Sequence, residues 1–123
     1  HYDIMRTAER LKGNWGVGVI DGFEGMEGNG PNSGTPVASK IAIASRDFLA
    51  ADRIGSDCMG IDPAVMGYLQ WCEKVGVGTW DRARIEVRGE TVEGVAKKYR
   101  LHTDIDRELQ WMGPLTELPP KLG

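Results

Sequence analysis

The sequence is poor in the residues that mark several common classes of protein. It has only two cysteines and two histidines among 123 residues, and it contains no C-x-x-C motif. We therefore expect no zinc ribbon, and no iron–sulfur cluster bound by this chain alone. The two thiols, Cys58 and Cys72, occupy apolar positions of predicted helices. Such positions are typical of buried free cysteines rather than of a disulfide framework.

Long apolar runs and a strong net charge are also missing. No stretch approaches the ~20 apolar residues that a membrane-spanning helix needs, and no signal-peptide pattern opens the chain. The net charge is −3, which favours neither nucleic acid nor an anionic membrane surface as a partner. We therefore expect a cytoplasmic protein. Because the chain opens with His1 rather than methionine, the alternative is a fragment or a processed product whose targeting signal lies upstream.

Helix and strand signals alternate along the chain. The predicted helices, delimited by capping residues, prolines and glycines, span 4–12, 48–59 and 63–75. The predicted strands span 15–20, 37–45 and 84–88. This order favours an α/β fold with a small sheet covered by helices, part of a larger α/β domain. Residues 1–123 then form a single domain or a C-terminal fragment of a larger one, with residues 101–123 as an extended C-terminal arm.

Several details of these elements are predicted from single residues. Asp3 is the expected N-cap of the first helix, and Ser45 or Asp47 that of the second. The buried face of the first helix is expected to carry Ile4, Ala8 and Leu11. The near-continuous apolar character of the 37–45 strand predicts burial on both faces. Acidic Asp52, at the edge of the second helix, would need Arg46, Arg53 or a backbone donor as its partner.

The most unusual segment of the chain follows the first predicted strand. Residues 22–36 contain five glycines, each of which loses more backbone freedom on folding than any other residue. An ordered segment of this composition is expected where the backbone turns sharply or approaches a ligand. The glycine spacing fits neither the Rossmann nor the P-loop fingerprint. We therefore predict a glycine-rich loop over 22–36 whose ligand and cofactor are unknown.

Polar side chains and glycines in this segment are the candidate site residues. Asp21, Glu24 and Glu27 could bind a hard divalent cation such as Mg²⁺ or Ca²⁺. The alternative is that Asp21 caps loop amides while the two glutamates are solvated. No Ser-His-Asp or Cys-His pairing is readable, so the catalytic residues are unknown. The predicted ligand-binding residues are Glu24, Glu27, Gly28, Asn29, Gly30 and Ser33.

Four sequence blocks together resemble one known family. The first, V-I-D-G-F-E-G-M-E-G-N-G-P-N-S-G-T-P, begins at Val19. The others are I-A-S-R-D-F-L-A-A-D-R-I, M-G-I-D-P and Y-L-Q-W-C-E-K-V-G-V-G. Their order and spacing over residues 19–89 resemble the C-terminal part of the prokaryotic family called domain of unknown function 362. Some members of that family carry cysteine motifs for four-iron four-sulfur clusters, which this chain lacks, and the resemblance implies no established catalytic role.

The resemblance also bears on partners, because the family domain is longer than this chain and its N-terminal half has no counterpart here. Sheet edges without partners invite pairing with another chain. We therefore predict an oligomer, formed with a second copy or with a separately encoded N-terminal half. Two functions stay open. One is a ligand-binding or catalytic module whose site is the segment 21–36. The other is a non-enzymatic structural or assembly subunit that pairs with another chain.

Overall fold

The computed structural model of the protein describes residues 1–109. Its helices are α1 (Tyr2–Leu11), α2 (Phe48–Cys58), α3 (Gly67–Lys74), α4 (Val92–Val95) and α5 (Ile105–Glu108). Its strands are β1 (Gly18–Gly22), β2 (Gly25–Asn29), β3 (Ser33–Val37) and β4 (Ile41–Ser45). The predicted α/β fold class is confirmed. Most of the predicted arm 101–123 lies outside the described residues.

The four strands form two separate antiparallel pairs instead of the single sheet that the sequence predicted. β1 pairs with β4, and β2 pairs with β3. The expectation of one sheet is wrong because β2 and β3, which lie between β1 and β4 in the chain, pair with each other as a local hairpin. Neither of the β1–β4 strands then has a second neighbour within the described residues.

The predicted strand at 84–88 does not form. Arg82–Arg84 make a 3₁₀ turn capped by Asp81, whose carboxylate accepts the Ala83 N–H at 3.0 Å. Residues 85–88 follow as irregular backbone. The alternating sequence was a misleading signal, because a strand exists only when its backbone pairs with a neighbour.

The strand β4 is also shorter and less buried than predicted. It begins at Ile41 rather than at residue 37, since residues 33–37 belong to the hairpin. Its residues alternate between half-buried and exposed, so burial on both faces is wrong. Among residues 1–109, one face of the β1–β4 pair packs on a helix, α2, as expected of an antiparallel pair.

The buried core lies between α1, α2 and α3. Its fully packed members are Met5, Ala8, Leu49, Leu69 and Cys72. The N-cap of α1 is His1 rather than Asp3, and Ile4 is 53% exposed. Of the predicted buried face, Ala8 is buried as expected, whereas Leu11 is 43% exposed and Met5 is buried instead. Met5 is buried because it packs against α3. The periodicity of a ten-residue helix does not show which of two neighbouring apolar residues faces the core.

Helix α2 joins the core to the β1–β4 pair. One carboxylate oxygen of Asp47 caps it by accepting the Ala50 N–H at 3.0 Å, as predicted, and the other accepts the Thr79 N–H at 2.8 Å. A Cβ on Gly55 would lie 3.2 Å from the Ile20 Cδ1 atom, so the small residue lets the helix approach β1 closely. The predicted helix 63–75 is divided into a 3₁₀ turn at Pro63–Val65 and α3.

Candidate functional site

The glycine-rich segment folds as a β-hairpin. β2 and β3 are joined by a turn at residues 30–32, and Gly28 lies opposite Gly34 in the ladder. Gly28 has a φ of 73°, a conformation that glycine adopts without strain. The prediction of a loop over 22–36 is wrong because the two halves of the segment pair with each other. Glycine within a strand often marks a place where other groups approach the backbone closely.

Two of the predicted ligand-binding side chains hold a distant part of the same chain. The Glu27 carboxylate accepts the backbone N–H of Arg100 at 2.8 Å. Asn29 forms two hydrogen bonds with Thr103, each 3.0 Å long: its amide N–H donates to Oγ1 and its carbonyl oxygen accepts the backbone N–H. Residues 100–103 therefore engage the polar groups that the sequence assigned to a ligand.

Backbone and side chains of the hairpin complete this attachment. The Gly28 N–H donates to the Arg100 carbonyl at 2.8 Å, and the Arg100 guanidinium donates to Thr35 Oγ1 at 2.7 Å. Hydrogen bonds from both backbone and side chain thus join Arg100 to both strands of the hairpin. We call residues 99–103 the clamp segment.

Glycine at position 25 makes room for the clamp segment. A Cβ at residue 25 would lie 2.0 Å from the Tyr99 hydroxyl oxygen, and Tyr99 is buried. A Cβ at Gly34 would lie 2.4 Å from Met26 Cγ. The close approach that the glycine content predicted is therefore present, and the approaching groups belong to the chain itself.

The structure does not gather the predicted metal ligands into a site. Asp21 accepts the Phe23 N–H at 3.1 Å, which is the capping role that the sequence left as the alternative. Glu24 is exposed, and Glu27 is hydrogen-bonded to the clamp segment. Across residues 1–109 no three His, Cys, Asp or Glu side chains are grouped so as to hold a metal ion. The assignment of Gly30 and Ser33, both exposed, to ligand binding stays a prediction.

A cavity of about 540 Å³ opens between β1 and the three core helices α1, α2 and α3. We call it the α1–β1 cavity. Its walls include Ile4, Trp15 and Val19, whose exposed fractions are 53%, 45% and 67%. The Trp15 ring packs against Phe48 with 3.6 Å between ring centroids. Large apolar side chains thus border an open space that the described residues do not fill.

A carboxyl–phenol pair, which the sequence analysis did not find, also lines the α1–β1 cavity. The Tyr68 hydroxyl donates to the Asp52 carboxylate at 3.1 Å. Burial raises the pKa of Asp52, and the Tyr68 hydrogen bond partly opposes that shift. Burial and the nearby Asp52 charge raise the pKa of Tyr68. The expected partner was Arg46, Arg53 or a backbone donor, and no sequence signal indicates a tyrosine sixteen residues away on another helix.

A second cavity, of about 380 Å³, lies beside β4. We call it the β4 cavity. All five residues of β4 line one part of it, the apolar face of α2 lines another, and residues 85–90 line a third. The residues of α2 that contribute are Ala50, Ala51, Ile54 and Cys58. Both cysteines are free and buried, as the sequence predicted.

Comparison with known proteins supports the family resemblance. The family model described as a domain of unknown function (DUF362) matches residues 4–57. The match confirms the resemblance and begins earlier in the chain than the blocks quoted from the sequence. It does not establish that the chain corresponds to the C-terminal part of the family domain.

One curated relative is much longer than this chain. A thylakoid-associated protein of Synechocystis sp. is 30% identical over 74 residues, which is 60% of this chain and 22% of the relative. The chain thus matches about a fifth of that longer, prokaryotic protein. No solved structure matches the chain. No helix within residues 1–109 is long and apolar enough to cross a membrane.

Proposed function

We propose that this chain is a non-enzymatic assembly module that packs against another polypeptide through the α1–β1 cavity. The observation that carries the proposal is the exposure of Ile4, Trp15 and Val19 around one apolar space. Contiguous exposed apolar surface marks an interaction site, because covering it releases about 25 cal/mol for each Å² removed from water. A partner that covers these three side chains would therefore stabilise the chain.

The backbone at the same place supports this proposal. Gly18, Val19 and Ile20 of β1 line the α1–β1 cavity. Within the described residues β1 pairs only with β4, so its other edge presents unpaired backbone groups. An unpaired edge is a template for another strand. The same region thus offers a partner both backbone hydrogen bonds and apolar contact.

The ligand-binding alternative has weaker support from the structure. The carboxylate of Glu27 and the amide of Asn29 are already hydrogen-bonded to the clamp segment. A ligand at these groups would have to displace Arg100 and Thr103. We therefore favour the assembly role over a site in the hairpin.

The length of the relative indicates the kind of partner. Most of the thylakoid-associated protein lies outside the matched 22%. We propose that polypeptide of that kind packs over the exposed apolar side chains of the α1–β1 cavity. Its name associates that relative with thylakoids. For this chain we propose a polypeptide rather than a bilayer as the partner, because the net charge of −3 is repelled by anionic lipid.

The test combines light scattering with binding of a dye that reports exposed apolar surface. We expect the chain either to self-associate or to bind the dye as a monomer, and Val19→Asp to weaken whichever behaviour is seen. Val17→Asp is the matched control, since Val17 is 64% exposed and does not line the cavity. A monodisperse monomer that binds no dye would overturn the proposal. Sedimentation with lipid vesicles that Val19→Asp abolishes would instead identify a bilayer as the partner.

A further inference from the structure

The β4 cavity lies between two stretches of backbone. On one side is β4, and on the other is the segment 85–90, which makes no ladder with β4. The apolar face of α2 lines the space as well, through Ala50, Ile54 and Cys58. The five residues of β4 span about 17 Å at ~3.4 Å per residue. The cavity therefore runs along a strand edge and has an apolar side.

The direction of the free backbone groups of β4 follows from one hydrogen bond. The Lys40 N–H donates to the Phe23 carbonyl at 2.9 Å, next to the Gly22–Ile41 pair in the ladder. In an antiparallel pair, hydrogen-bonded and non-hydrogen-bonded residues alternate. Ala42 and Ala44 therefore bond to β1. The N–H and C=O groups of Ile41 and Ile43 point away from β1.

The opposite wall offers backbone and several apolar residues, Ile85 and Val87 of the segment and Val92 and Val95 of α4. Ile85 has extended dihedral angles, with φ −101° and ψ 113°, and the chain continues to residue 90 without regular structure. Val87 lines the cavity and is 36% exposed. Glu86 and Arg88 form an ion pair with each other at 2.9 Å. The wall is thus largely apolar, and the acid and base on either side of Val87 pair with each other.

We propose that the β4 cavity receives one β-strand from another polypeptide, hydrogen-bonded to Ile41 and Ile43. This is recognition by strand addition, in which main-chain hydrogen bonds give affinity and alternate side chains give specificity. Because the inner face of β4 packs on α2, the strand carries apolar residues at alternate positions, directed toward Ala50 and Ile54. The inference extends the proposed assembly role to a second surface and names the kind of segment that binds there.

A strand from a longer polypeptide fits this place better than a second copy of the chain. The segment 85–90 borders the same cavity as the edge of β4. A folded second copy would bring its own sheet and helix to that edge, and the segment would obstruct it. A single extended strand has no such bulk. The part of the relative outside the matched 22% is polypeptide of the kind that can supply such a strand.

The test is amide hydrogen exchange with a defined probe. The probe is a seven-residue peptide of alternating valine and threonine with blocked ends, and the control peptide is N-methylated at alternate residues. In the chain alone, the Ile41 and Ile43 amides should exchange at least about tenfold faster than those of Ala42 and Ala44. The probe at millimolar concentration should slow Ile41 and Ile43 by about tenfold or more. The N-methylated peptide should have no effect.

Variants separate this site from the α1–β1 cavity. Val87→Asp places a carboxylate in the β4 cavity and should abolish the effect of the probe, whereas Val19→Asp should leave it intact. Protection of Ile43 equal to that of Ala44 without the probe would overturn the inference, as would no response to the probe in the wild-type chain. Protection that grows with protein concentration alone would assign the edge to a second copy. Failure of the assembly role shows itself separately, in the dye and light-scattering results for Val19→Asp.

Discussion

The carboxylate of Glu27 accepts the backbone N–H of Arg100 at 2.8 Å, across 73 positions of the chain. This contact joins the glycine-rich hairpin to the clamp segment. The guanidinium of the same arginine donates a hydrogen bond to Thr35 Oγ1 on the opposite strand. A residue whose sequence context predicted a ligand or a metal is therefore part of the internal framework, and the first prediction follows from that.

Glu27→Ala should lower the free energy of unfolding by about 1–2 kcal/mol, because it removes a hydrogen bond to a charged acceptor. The exchange of the Arg100 amide should accelerate at the same time. Glu24→Ala is the matched control, since Glu24 is an exposed acid in the same segment, and it should leave stability unchanged. Urea unfolding measures the change. A Glu27→Ala chain as stable as the wild type would show that the carboxylate does not hold the clamp segment.

Gly25→Ala should destabilise the chain by about 1–3 kcal/mol through overpacking. The new Cβ would lie 2.0 Å from the Tyr99 hydroxyl oxygen, and Tyr99 is held by burial and by a short hydrogen bond between its hydroxyl and Ser39 Oγ. Gly16→Ala is the control, because a Cβ there meets nothing within 4 Å. Thermal unfolding compares the two variants. Equal melting temperatures would contradict the packing of Tyr99 against residue 25.

Asp52→Asn should stabilise the chain at pH 7 and have little effect at pH 3. Burial raises the pKa of Asp52 above 3.8 in the folded chain, so the folded state holds this proton more tightly than the unfolded state does. The stability it contributes is present below pH 3.8 and is lost as the pH rises through the folded pKa. Asparagine carries no charge and still accepts the Tyr68 hydroxyl. Melting temperatures at the two pH values test this, and a loss of stability at pH 7 would contradict it.

Cys72→Val should make the chain less sensitive to alkaline pH. Burial raises the pKa of the Cys72 thiol from 9.0 to about 11. Stability from the neutral thiol is present below pH 9.0 and is lost as the pH rises toward 11. The wild type should therefore lose more stability between pH 8 and 11 than the valine variant. Denaturant unfolding at both pH values gives the comparison, and parallel losses would show that folding does not raise the pKa of this thiol.

Some of the fold could be predicted from local sequence, and α2 shows why. Asp47 caps its first turn, its apolar residues recur with the helical period, and Gly60 follows it with a φ of 64°. Each of these signals acts within a few residues of chain, so the sequence carries it directly. The family resemblance could be predicted for a similar reason, because it rests on short contiguous blocks.

The errors concern contacts that local sequence does not specify. Residues 84–88 alternate like a strand, yet no strand pairs with them in the described part of the chain. The glycine-rich segment 22–36 was predicted to be a loop, because its sequence does not show that its two halves pair with each other. Asp52 was expected to pair with a nearby arginine or a backbone donor, and its partner is Tyr68 on another helix. In each case the sequence shows one side of a contact whose other side depends on the fold.

The sequence by itself determined the α/β class, the helix capped by Asp47 and the buried state of the two cysteines, since these depend on local periodicity and on side-chain polarity. Tertiary structure decided the rest. It made the hairpin a binding surface for residues 99–103 and placed Tyr68 against Asp52. Among residues 1–109 it also left the outer edges of β1 and β4 without a paired strand. The physical reason is that a hydrogen bond or an apolar contact between residues far apart in the chain forms only when the elements that carry them have been packed together.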